Sequence, residues 1–176
     1  MRASLVLRVA VAAALAASCA GDETGATGPT GSTGVTGLPR PSPAAGWTGT
    51  ARFEMDGGVQ ARADLTMVIG TVSLDPRELV VSWTDGAGEH ALAILWSGTG
   101  PPEVGVALEG FLIAIGTPQT RGHGSYGDEP GGCTVTLETF GRTAMAGTFD
   151  CPELELADRA LPSSHATGSF RVSRAG

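Results

Sequence analysis

The side chains that could carry chemistry in this chain are few and scattered. Gly122-His123-Gly124-Ser125-Tyr126-Gly127 brings a histidine close to a serine, and a hydrolase needs that pairing of base and nucleophile. A nucleophile elbow also needs glycine two residues before the serine and a helix after it. Here His123 occupies the first position, and Gly127-Asp128-Glu129-Pro130 follows. The segment therefore reads as a flexible connection between strands. His90, His123 and His165 are too far apart in sequence to form a ready zinc site, so a cluster with Asp128 or Glu129 would have to be assembled by the fold. Neither Asp85-Gly86-Ala87-Gly88-Glu89 nor Asp128-Glu129 has the spacing of a calcium loop, and turn chemistry explains both. Glu109 lies at a tight turn and Glu138 on the polar face of Thr134, Thr136 and Glu138, so both are expected to be exposed rather than tuned for proton transfer. No catalytic set, metal or cofactor is expected.

The three cysteines, Cys19, Cys133 and Cys151, are more informative. Arg2 and Arg8 bracket a short positive region, and Val9 to Ala17 then runs without a polar side chain, the pattern of a secretory signal. Its apolar core is shorter than the roughly 20 residues of a spanning helix. Leu15-Ala16-Ala17-Ser18-Cys19 supplies small residues and then a cysteine, which resembles the lipobox of bacterial lipoproteins. Ala16 stands where that family more often has leucine. The resemblance implies a signal peptide over residues 1–18, removed ahead of a diacylated Cys19. It also resolves the odd cysteine count of an exported chain, leaving Cys133 and Cys151 as an even pair.

Glycine recurs at every third place from Gly25 to Gly37, with threonine before each following glycine. The period resembles the collagen-like Gly-X-Thr stretches of bacterial surface proteins. Four triplets are too few to hold a triple helix, and residues 19–45 read as a tether. Pro39, Pro41 and Pro43 stiffen its distal end toward polyproline II. All eleven basic residues are arginine, and losing Arg2 and Arg8 with the signal would leave nine against eighteen acidic residues. Such a surface repels nucleic acid and anionic headgroups. The membrane contact expected is the N-terminal lipid alone.

Residues 46–176 must position whatever the protein presents. Apolar or small residues at Trp47, Gly49, Ala51, Phe53 and Met55 alternate with Thr48, Thr50, Arg52 and Glu54, the period-two pattern of a half-buried strand. Further strands are predicted over 59–69, 78–84, 89–97, 104–108, 111–117, 133–140, 143–150 and 165–172, with a possible helical turn or two over 153–160. Asp56-Gly57-Gly58, Asp75-Pro76, Asp85-Gly86, Glu109-Gly110 and Gly141-Arg142 separate them as turn signals. Many short strands with glycine-containing turns predict an all-β domain, an antiparallel β-sandwich or small barrel of about eight or nine strands. A hairpin turning at Gly141-Arg142 through a three-residue loop would set Cys133 opposite Cys151 for a structural disulfide.

His90, Leu92, Ile94 and Trp96 share one strand face, and Phe111, Ile113 and Ile115 share another. The simplest reading is core. The sharper alternative is an apolar cavity holding a lipid-like ligand against Leu92, Ile94, Trp96, Phe111 and Ile113. Pro101-Pro102-Glu103-Val104, with the late Gly147-Thr148-Phe149 strand, resembles mycobacterial surface lipoprotein antigens, and the resemblance implies a lipidated, tethered β domain. The function expected is non-enzymatic display of that domain from the cell envelope toward an unknown surface partner; the alternative is carriage of a small hydrophobic ligand.

Overall fold

The structure, a computed structural model, describes residues 42–96, 98, 100–120, 125–126, 132–156 and 162–176, with backbone only at 125–126 and 155–156. The described chain is all-β and sandwich-like. Its strands are β1 (Trp47–Gly57), β2 (Ala61–Leu65), β3 (Met67–Asp75), β4 (Glu78–Thr84), β5 (Ala91–Trp96), β6 (Ala107–Leu108), β7 (Phe111–Gly116), β8 (Ser125–Tyr126), β9 (Thr134–Gly141), β10 (Ala144–Leu156) and β11 (Ser164–Arg174). One sheet runs β2-β1-β11-β10-β9-β6 and the other β3-β4-β5-β7-β8, every pair antiparallel.

β10 belongs to both sheets. Residues 144–151 pair with β11, and Glu155 and Leu156 pair with β8 after a register shift between Cys151 and Leu154. The bulge at Pro152-Glu153 turns the strand from one layer into the other, since an extra residue bends and twists the strand that carries it. At the opposite side the chain changes layers at Thr66, between β2 and β3, where the Thr66 N–H donates to the Thr84 carbonyl at 3.1 Å. β2 and β3, the two ends of the strand path, do not pair with each other, so the sandwich is not closed into a barrel. Just before β1, Ala44 N–H donates to Val68 O at 2.8 Å and Gly70 N–H to Ser42 O at 3.3 Å, covering part of the β3 edge.

Alternation explains the core. Phe53 and Met55 of β1, Leu65 of β2, Val81 and Trp83 of β4, Leu92 and Ile94 of β5, Ile113 and Ile115 of β7, Val135 and Leu137 of β9, and Met145 of β10 are all buried between the layers. Three inward positions are glycines, and each makes room for an aromatic ring. Gly168 lies opposite both Phe53 and Phe149, and Gly147 opposite Phe170. A Cβ at Gly49 would lie 3.1 Å from the Trp83 indole nitrogen. Pairing a ring with a glycine lets large apolar surface fill a sheet interior without forcing the strands apart. The buried Trp83 of one layer also donates from Nε1 to the Arg171 carbonyl of the other at 3.3 Å and sets its ring 5.9 Å from Phe170.

Several sequence expectations need correction. The strand predicted over 59–69 is two strands with a corner at Thr66. The one predicted over 104–108 shortens to Ala107–Leu108, because Val104 and Gly105 form a turn whose Gly105 N–H donates to Leu137 O at 2.8 Å. Glu153 to Leu156 continue β10 instead of opening a helix, and residues 157–160 lie outside the described residues. The β9–β10 loop has two residues, Arg142 and Thr143, since Gly141 pairs with Ala144. A bulge at Glu138 restores the missing residue, so Cys133 still meets Cys151. Their Cα atoms are 4.1 Å apart, the disulfide is formed, and both residues are buried.

Candidate functional site

Chemistry-bearing residues gather in two places among the described residues: the β4–β5 loop and the outer face of the β2-β1-β11-β10-β9 sheet. In the loop, Asp85 accepts from the backbone N–H groups of Gly88 at 2.8 Å and Glu89 at 3.2 Å through Oδ1, and from His90 N–H at 3.2 Å through Oδ2. The His90 ring reaches the same Oδ2 through Nδ1 at 2.9 Å. Burial alone would raise the Asp85 pKa. The His90 ring and the three backbone donors outweigh it and hold the carboxyl below its ordinary value.

His90 therefore sits in a loop that it helps to order, at the end of the apolar face of Leu92 and Ile94, with its ring on the side of buried Phe53. A carboxylate bound to Nδ1 can orient an imidazole for catalysis. Besides Asp85, the His90 ring faces Phe53, with centroids 6.3 Å apart, and an apolar ring is neither nucleophile nor metal ligand. The Asp85 turn is thus a structural cap on a hairpin.

The outer sheet face is polar apart from Ala144 and Ala146 of β10. Its register places Thr50 opposite Arg171 and Arg52 opposite Ser169 on β1 and β11, with Asp64 of β2 beside Arg52. Ala146 lies beyond Arg171 on β10, and Glu138, the extra residue of the β9 bulge, faces outward by the same alternation as Thr134 and Thr136. Because Ala146 is short, these residues surround a cleft of about 450 Å³. A second cleft of about 400 Å³ shares Arg52 and Ser169 and adds Glu54, Thr148, Asp150 and Thr167. Arg52 Nε lies 3.5 Å from Asp64 Oδ1, with both side chains well exposed, which makes a weak pair. At the far end of the second cleft His165 Nε2 meets Asp150 Oδ1 at 2.8 Å. No group of three metal-ligating side chains occurs among the described residues.

The remaining candidates fall elsewhere. Leu92, Ile94, Phe111 and Ile113 are buried between the layers and line neither cleft. Trp96 packs at the end of the same core, its ring 4.6 Å from Phe111 and its Nε1 donating to Gly100 O at 2.7 Å. Glu109 and Glu138 are both exposed, as expected. Cys19, His123, Asp128 and Glu129 lie outside the described residues, as does the side chain of Ser125. Among the described residues no helix is long and apolar enough to cross a membrane.

Sequence reasoning missed the outer-face clefts because they depend on cross-strand register. The one local signal was the pair Arg52 and Arg171 at outward positions of alternating strands. No family model, curated protein or solved structure matches the chain.

Proposed function

We propose that the chain is a non-enzymatic lipoprotein of the cell envelope, anchored through lipid on Cys19 and displaying its β-sandwich at the end of the 19–45 tether for binding or structural interaction. The supporting observation is cysteine pairing. Cys133 and Cys151 are joined inside the core, so of the three cysteines in the sequence Cys19 remains, directly after Ala17-Ser18 and the apolar stretch. A thiol left over in an exported chain is a liability unless it is modified, and diacylation at the lipobox is the modification that its surroundings fit. Display also agrees with a described domain whose histidines are held by Asp85 and Asp150 in surface loops and ladders. The burial of Leu92, Ile94, Phe111 and Ile113 in the core favours display over ligand carriage.

The test is detergent-phase partitioning of the full chain made in a bacterium that processes lipoproteins. The native chain is expected in the detergent phase with a mass increased by the lipid, and Cys19→Ser in the aqueous phase. A Cys19→Ser chain that still partitions into detergent would overturn the reading.

A further inference from the structure

We infer that the larger outer-face cleft is a binding site for a singly charged oxyanion carried on a polyhydroxylated ligand, in chemical terms a carboxylated sugar, with Arg52 and Arg171 as its anion-binding pair. The register carries the argument. Thr50 faces Arg171, and Arg52 faces Ser169, so two guanidiniums and two hydroxyls occupy the corners of one square on adjacent strands. Diagonal positions of this kind place Cβ atoms about 7–8 Å apart, within reach of long side chains converging on one group. Every corner lines the cleft, and all four side chains are exposed.

Guanidinium forks match carboxylate geometry in a bidentate way. Arg171 has no ion pair among the described residues, and Arg52 has only the exposed contact at 3.5 Å to Asp64. Charge selects further. Asp64 and Glu138 stand at the two sides of the cleft, in a chain whose acidic residues outnumber its basic ones. These two carboxylates offset the two guanidiniums, so the second charge of a dianion such as a phosphate monoester gains little net attraction there while its desolvation costs more, and the site favours a single negative charge. The adjoining cleft, sharing Arg52 and Ser169, offers Thr148, Thr167, Glu54 and Asp150 to the hydroxyls of a ligand extending along the face. With no exposed ring on this face, recognition rests on hydrogen bonds and charge, and so weakens with salt. The inference is independent of the lipid anchor, because it uses only residues of the sandwich.

The test is calorimetric titration of the full chain, held in a non-ionic detergent at low ionic strength, with maltotrionate, which carries a single carboxylate, maltotriose and inorganic phosphate. Maltotrionate is expected to bind at least tenfold more tightly than either comparator. Arg52→Gln and Arg171→Gln should each weaken it about tenfold, the scale of one lost charge-assisted contact. Arg77→Gln, in the exposed β3–β4 turn, should leave it unchanged. Asp64→Asn removes the competing carboxylate and should tighten binding several-fold, an effect that misfolding cannot mimic. The proposal is overturned if maltotrionate does not bind, if phosphate binds more tightly, if Arg77→Gln weakens binding as much as Arg171→Gln does, or if Asp64→Asn weakens it.

Discussion

Replacing Gly168 with alanine tests the glycine–aromatic packing of the sandwich. Gly168 faces inward between Phe53 and Phe149, its cross-strand neighbours on β1 and β10. A methyl group there would fall inside contact distance of the Arg52 carbonyl and lie 2.5 and 2.6 Å from two carbons of the Phe149 ring. The ring can turn, but the carbonyl belongs to the β1–β11 ladder and moves only if the strands part. Overpacking of this kind costs about 1–3 kcal/mol. The stiffer unfolded chain returns about 0.4–1 kcal/mol, leaving a net loss of about 1.3 kcal/mol. For a domain of this size that lowers Tm by about 4–6 °C. Thermal and urea denaturation of the oxidised chain measure it. Gly141→Ala is the matched control, since nothing lies within 4 Å of its added Cβ, and its effect should stay within about 0.5 kcal/mol. In a Phe149→Leu background the penalty at Gly168 should shrink without vanishing, because the ring contact is relieved and the carbonyl contact remains. A Gly168→Ala chain that melts with the native protein would refute the packing argument.

Removing the disulfide through Cys133→Ala and Cys151→Ala, which are separated by 18 residues, should cost about 3 kcal/mol on the chain-entropy estimate. A urea midpoint unchanged from the oxidised native chain would contradict a structural role. With both cysteines buried, reduction of the native protein should be no faster than its unfolding, as thiol trapping would show. Asp85→Asn should lower stability near neutral pH by about 1 kcal/mol, the scale of one net hydrogen bond. Because the folded Asp85 pKa is lowered, its contribution is present above the unfolded carboxyl value of about 3.9 and disappears as pH falls through the folded value. The difference between Asp85→Asn and native should therefore close in acid, and a gap of constant size down to pH 2 would exclude the Asp85 carboxylate as its source.

Most of the fold was legible because each strand buries one face, and alternation records that directly. β4 was read to the residue, and β1, β5, β7, β9 and β11 to within a few residues at each end. The candidate site was much less legible. Arg52 and Arg171 are 119 positions apart, and Asp64 and Glu138 arrive from two further strands. Only the ladder register makes them neighbours, and no local pattern encodes the register between strands distant in sequence. The Asp85 turn was recognised as turn chemistry, and parity placed His90 at the end of the apolar face, where its ring lies beside buried Phe53, but the contact to Asp85 was not read. Its backbone N–H and ring are satisfied by a carboxylate five residues away, a local hydrogen-bonded loop of the sort that ends a strand early.

The errors in strand boundaries share a physical cause that sharpens how such sequences can be read. Inward residues within a strand are two apart, yet the buried positions step by three from Leu65 to Val68, from Cys151 to Leu154, and from Leu137 to the partly buried Phe140. The first two steps are the places where the chain passes from one layer to the other, at Thr66 and at Pro152-Glu153, and the third is the bulge at Glu138, after which Phe140 faces inward again. One extra residue reverses parity, so the core must be met again three residues on, and apolar side chains mark the step. β3 shows the limit of the rule. Gly70, Thr71 and Val72 face the single Val81, which adds two residues, preserves parity and leaves the apolar pattern unbroken. Glycine at φ 70° is the sole trace of that bulge, where the positive φ favours a residue without a Cβ. Odd insertions are therefore visible as breaks in hydrophobic period, whereas even ones must be sought in glycine placement. Both layer crossings, which the strand read over 59–69 and the helical turn read over 153–160 passed over, therefore leave a mark in the hydrophobic period that the irregular edge of β3 does not.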